Sequence, residues 1–243
     1  MRLIESEIKE LKLKILDMAE LVRVQFDQCI QALDDLNRDL ASRIVKREDE
    51  VDSYDTRIAR RCERIIALYQ PVANDLRFVF TALRINDFLE QAGDQVSGIA
   101  NKILAITGPF APELLDALQL RTMERLTQAI FQKSLRAYFY ERPDECKLLF
   151  HDDDAIDAIN RAAFDILVRT IQDDPARTAD YLHLLHIIRH LEKIGDFAVA
   201  IAEEAIFHAE GIVYRHTEMK FNPAARAQQT PVGQGLETSA ELP

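Results

Sequence analysis

Apolar side chains recur along this chain at alternating intervals of three and four residues. Ile8, Leu11, Ile15, Met18 and Val22 set the rhythm near the amino terminus, a spacing that gathers them on one face of an α-helix. It predicts a first helix over 3–36 and a second over 40–69 that stops at Pro71. A third starts at Pro71, a residue suited to a first helical turn, and runs to 104. Thr107-Gly108-Pro109, followed by Pro112, is the strongest internal break and marks a domain boundary. The plan then repeats, with helices over 113–141, 143–173 and 175–213. From Asn222 to Pro243 the apolar period disappears, which predicts a disordered tail.

Short turns make sequential helices antiparallel neighbours, and each apolar stripe needs two others to cover it. The expected fold is all-α: two tandem, pseudo-repeated three-helix bundles of long antiparallel helices, over 1–108 and 109–216, then a tail over 217–243. The repeat can be traced in residues. Asp52-Ser-Tyr-Asp55 is followed by Leu89-Glu90-Gln91-Ala92-Gly93-Asp94 in the first half. Asp157-Ala-Ile-Asn160 is followed by Leu191-Glu192-Lys193-Ile194-Gly195-Asp196 in the second.

Those segments carry acidic pairs at i, i+4: Glu48 with Asp52, Glu90 with Asp94, Asp153 with Asp157, and Glu192 with Asp196. The spacing places both carboxylates on one helix face, where they repel unless a cation compensates. With 41 acids among 243 residues, chance supplies about seven such pairs, so the signal is their recurrence at equivalent places. On a helical wheel Glu192, Asp196 and Glu203 share one flank, while Ile187, Leu191, Ile194 and Ala198 form the core face. In the first half Glu90, Asp94 and Asp87 share a flank, and Phe78, Ile85, Leu89 and Val96 the core side. If the helices pack as neighbours, Glu48, Asp52, Asp55, Glu90 and Asp94 gather in one cluster and Asp153, Asp157, Glu192 and Asp196 in another. Such oxygen donors suit Mg²⁺, Mn²⁺, Ca²⁺, iron or zinc; the competing reading is a solvated acidic face paired with neighbouring Arg and Lys.

Composition narrows the function. The net charge of −11 and pI near 5.1 disfavour nucleic acid and anionic lipid as partners. Cys29, Cys62 and Cys146 form no CxxC pair, which suits a reducing cytoplasm. Residues 1–20 alternate apolar and charged positions, unlike a signal peptide, and no stretch approaches the roughly 20 apolar residues of a membrane span.

His183, His186 and His190 lie on a different flank from Glu192 and Asp196, so they are read as helix-flank histidines. No ExxH is present for a ferritin-like di-iron site. Gly93 and Gly195 sit mid-helix, where glycine costs roughly 1 kcal/mol against alanine, and predict close backbone approach to a neighbour. No Gly-rich phosphate loop, HExxH or nucleophile elbow occurs. The chain is read as a non-enzyme.

The doubled L-E-x-x-G-D motif, Asn74-Asp75-Leu76-Arg77 after Pro71, and the run from Asp196 through Glu203 and Glu204 to Gly211 together resemble the PhoU family, over roughly 1–216. The resemblance implies a cytoplasmic accessory protein, commonly a homodimer. It would link the Pst phosphate ABC transporter, through its ATPase, to a PhoR-type histidine kinase and keep the phosphate-starvation response off when phosphate is plentiful. It also implies metal on the acidic motifs in some members. A metal-binding or storage protein and a purely structural scaffold are the alternatives. This chain departs from the family pattern at Gln91 and Ala92, at Ala179 where the second repeat lacks an Asp-Leu-Arg, and after Thr217.

Overall fold

The computed structural model describes residues 2–146, 149–211 and 213, which form helices and short connections with no strand among them. The predicted tail over 217–243 lies outside the described residues. In order, the helices are α1 (Arg2–Asp34), α2 (Arg38–Val45), α3 (Glu48–Tyr69), α4 (Ala73–Ala105), α5 (Pro112–Ala117), α6 (Leu120–Phe139), α7 (Pro143–Cys146), α8 (Leu149–Asp173) and α9 (Thr178–Glu210).

Each expected helix is present, but several are broken. The segment expected over 40–69 divides into α2 and α3 at Lys46–Arg47. Asn37 starts α2, its side chain accepting from the Leu40 amide at 3.0 Å. Glu48, Asp49 and Glu50 then fill the first turn of α3, where acids favour the positive end of a new helix dipole. The buried Gln25 of α1 donates to the Arg47 carbonyl at 3.2 Å, which also accepts from the Glu50 amide at 3.1 Å, so the break is tied to α1. The segment expected over 113–141 divides at Leu118–Gln119, where Gln119 turns left-handed with φ 51°. A 3₁₀ turn over Pro175–Arg177 precedes α9, and Gly211, φ 70°, ends it by donating to the Phe207 carbonyl.

α1, α3 and α4 form the first bundle and α6, α8 and α9 the second. The residues expected on the core faces of α4 and α9, Ile85 and Leu89 with Ile187 and Leu191 among them, are buried. Burying each such side chain stabilises the fold by about 1.5–3 kcal/mol. One continuous core runs through both halves, because α4 packs along α9. Arg84 pairs with Glu204 at 2.7 Å, Phe88 stacks on Phe197 and Gln95 bonds His190. Partner numbers fall as α4 numbers rise, so the helices run antiparallel. Phe26 of α1 meets Phe131 of α6 edge to face beside this seam.

The connection between the repeats, predicted to break at 108, is tied down. Asp180 accepts from the Thr107 amide and hydroxyl at 2.9 and 2.8 Å, and Arg177 donates to the Gly108 and Pro109 carbonyls. Burial pushes the Asp180 carboxyl up, but the Thr107 donors and the Arg177 guanidinium outweigh it and hold it below the usual carboxylate range.

Candidate metal centre

The acidic motifs come together because α3 lies close on α4. A Cβ at Gly93 would sit 3.1 Å from Val51 Cγ1, so glycine at this position permits the approach. One carboxylate oxygen from each of Asp52, Glu90 and Asp94 then lies within 4.8 Å of the others. In the second repeat α8 and α9 bring Asp157, Glu192 and Asp196 together within the same limit. There Gly195 is less crowded: a Cβ at this position would stand 3.5 Å from Ile156 Cδ1.

The remaining predicted ligands flank the triads. Glu48 accepts a hydrogen bond from the Ser97 hydroxyl at 2.7 Å, and Asp55 accepts one from the Asn86 amide at 2.5 Å. Asp153 is buried beside Gly195, with Oδ1 3.7 Å from that glycine's Cβ position. Ser97 and Asn86 were not singled out from sequence. Both lie on the α4 flank of Glu90 and Gly93, the arc that faces α3, and that placement is the signal they offered.

Charge crowding shows in the titration of these groups. Burial, then Asp94, Asp55, Asp52 and Asp87, push the Glu90 carboxyl up to about 7. Burial, then Glu48 and Asp52, raise Asp94. In the second triad burial and Asp196 raise Glu192 while Lys193 opposes them. Lys193 Nζ stands 2.6 Å from Asp196 and 3.4 Å from Glu192, and Arg161 lies 3.5 Å from Asp157. Among the described residues no Lys or Arg forms such a pair with Asp52, Glu90 or Asp94. A hard divalent cation takes oxygen ligands at about 2.0–2.6 Å, so three converging carboxylates of this kind fit one, the first triad without displacing a basic side chain.

Seam contacts repeat with the acidic motifs. With Glu90 matched to Glu192, Phe88 matches His190 and Gln95 matches Phe197, so the stacked phenyl rings and the His190–Gln95 bond are related pairs. The two-fold that exchanges antiparallel helices is perpendicular to the plane of their axes. Both triads therefore open on the same side of the α4–α9 pair. His190 is half-buried in the seam against Gly98 and His186 is exposed; neither joins the second triad.

The PhoU domain family model matches residues 15–103 and 120–205. A protein of Aquifex aeolicus named phosphate-specific transport system accessory protein PhoU homolog is 30% identical over 215 residues, covering 88% of this chain and 96% of that protein. The crystal structure of PhoU from Pseudomonas aeruginosa superposes with a TM-score of 0.77 at 26% identity, covering 86% of this chain and 99% of that one. The phosphate transport system regulatory protein PhoU from Streptococcus pneumoniae shares the fold, with a TM-score of 0.79 at 24% identity over 87% and 99% of the two chains. With its domain matched once in each repeat, this chain belongs to the PhoU family.

Proposed function

We propose that this chain is a non-enzymatic regulatory subunit of a phosphate-uptake system. It acts as a cytoplasmic, dimeric adaptor between the ATPase of a phosphate ABC transporter and a PhoR-type sensor kinase, and it holds the starvation response off while phosphate is abundant. Family membership supports this reading, as do the relatives named accessory proteins of the phosphate-specific transport system. The geometric observation that carries it is the pair of acidic triads at equivalent positions of the two repeats. They form a rigid two-point surface that divalent cations would complete for a partner. An apolar groove of about 520 Å³ between α1 and α6, lined by Leu13, Leu16, Leu135 and Phe139, offers a further contact area. No helix among the described residues is long and apolar enough to cross a membrane, so membrane components would be met through partners.

The test is a starvation reporter such as alkaline phosphatase, read in excess phosphate in a strain lacking the gene. High activity that the intact gene returns to low supports the adaptor. Low activity with and without the gene sinks it. Metal storage, the second reading, rests on the same triads. It would then lead if stoichiometric metal survived dialysis and left with Glu90→Ala and Asp94→Ala.

A further inference from the structure

A cavity of about 100 Å³ lies where the two repeats join, bordered by the end of α1, the 106–111 connection, α5 and the start of α6. Its walls are mostly apolar, formed by Leu33, Leu36, Phe110, Leu115 and Leu120, and Asp34, Arg121 and Glu124 also line it. Glu124 is 4% exposed, and its solvent-shielded Oε1 has no hydrogen-bond partner among the described residues. A buried carboxylate oxygen without a donor is costly, and such groups normally have one. The nearby guanidinium does not supply it, because Arg121 turns to Asp34, 3.1 Å away at the rim.

The chemistry of the missing donor follows from its surroundings. A divalent cation takes six or more oxygens, whereas the lining side chains offer only the Glu124 and Asp34 carboxylates, the latter already paired with Arg121. A neutral alcohol could donate a hydrogen bond but would leave the carboxylate charge unbalanced. A primary ammonium group on a short aliphatic stem meets both demands, its nitrogen at Glu124 and its methylenes against the leucines and Phe110.

We propose that this cavity is a binding site for a primary ammonium group on a short aliphatic stem, either a free alkylamine or a lysine side chain presented by another protein. The site is separate from the acidic triads and does not depend on their binding metal. The charged and titratable groups that act on Glu124 are Asp34 and Cys29 from α1 and Arg121 from α6; the connection and α5 contribute apolar walls. Burial first, then Asp34, hold the Glu124 carboxyl at about 7 against the opposing Arg121. Because the ammonium ion needs the ionised carboxylate, binding strengthens as pH rises through that value.

The experiment titrates the full chain with n-butylammonium chloride by calorimetry, with n-butanol and sodium chloride as controls. Binding is expected for the amine alone, to be stronger above pH 7 than below it, and to fall about ten- to hundredfold in Glu124→Gln, the loss of a charge-assisted hydrogen bond. Leu115→Trp, which fills the cavity and leaves Glu124 in place, is expected to block binding, and it decides the matter if Glu124→Gln does not fold. Equal binding of Nα-acetyl-lysine methylamide assigns the site to a protein's lysine; binding of butylammonium alone assigns it to a free amine. Butanol matching butylammonium, or undiminished affinity in a folded Glu124→Gln protein, overturns the proposal.

Discussion

The two acidic triads occupy equivalent places in the two repeats, but among the described residues only the second carries basic partners. Lys193 bridges Glu192 and Asp196, and Arg161 reaches Asp157. The matching position in the first repeat is Gln91, whose amide turns away to Asp87 at 2.9 Å. Glu90 is accordingly pushed to about 7, with burial and four neighbouring acids all acting in one direction. The second triad is thus neutralised in part by its own chain, whereas the first has no Lys or Arg ion pair among the described residues. Two positions separate them: Gln91 stands where the second repeat has Lys193, and Thr56 where it has Arg161.

That contrast can be broken experimentally, and the largest effect belongs to the carboxylates themselves. In a Mn²⁺ titration followed by calorimetry, Glu90→Ala with Asp94→Ala is expected to remove the tighter class of site. Glu192→Ala with Asp196→Ala should remove only the weaker one. If the tighter class disappears with the second pair instead, basic partners do not rank the sites.

The next effect concerns stability, at a place where the repeats differ in kind. Asp180 at the start of α9 clamps the connection, whereas the matching residue of α4 is the buried Phe78. Asp180 is held below its ordinary value, so its ionised form stabilises the fold above that value. The contribution is lost as pH falls through the folded-state pKa. Asp180→Asn is expected to cost about 1–3 kcal/mol at neutral pH and progressively less in acid, read by denaturant melts across pH.

Exchanging the two deciding residues is the sharpest test of the comparison, with a smaller effect. Gln91→Lys is expected to weaken metal at the first triad, and Lys193→Gln to strengthen it at the second, each by about tenfold or less, in keeping with the modest worth of exposed ion pairs. Opposite changes in the two variants are the required result. The smallest effects belong to the glycines. Gly195→Ala, with room for its methyl group, is expected to gain up to about 1 kcal/mol from helix propensity. Gly93→Ala should gain less or lose stability, because the methyl group meets a stiff valine at 3.1 Å. Thermal melts of the chelator-treated proteins would rank the pair.

Helical periodicity made the bundles legible before the structure, and the doubled motif made their equivalence legible. The breaks were harder to see. The apolar stripe continues across Lys46–Arg47, and the fresh amino terminus is marked only by the run Glu48-Asp49-Glu50. The triads were predicted as larger clusters because sequence spacing fixes the face on which a residue lies, not the distance across to the next helix. Glu48 and Asp55 share that face but accept hydrogen bonds from Ser97 and Asn86. Glu124 was overlooked although it stands among Leu120, Met123 and Thr127, an acid within an apolar stripe, which is a readable anomaly. The α4–α9 seam needed three dimensions, since a residue half-buried between helices, such as His190, resembles any flank residue in one dimension.

The antiparallel seam has an evolutionary consequence. An isolated first repeat would expose the side of α4 that now lies against α9, and two such chains could join through it about a two-fold axis. Fusing two tandem copies of the gene would then convert a symmetric assembly into one polypeptide without redesigning the contact. Once both copies lie in one reading frame, they are free to diverge. Arg84 with Glu204 at one end of the seam, and Lys102 beside His186 at the related end, record how far that divergence has gone.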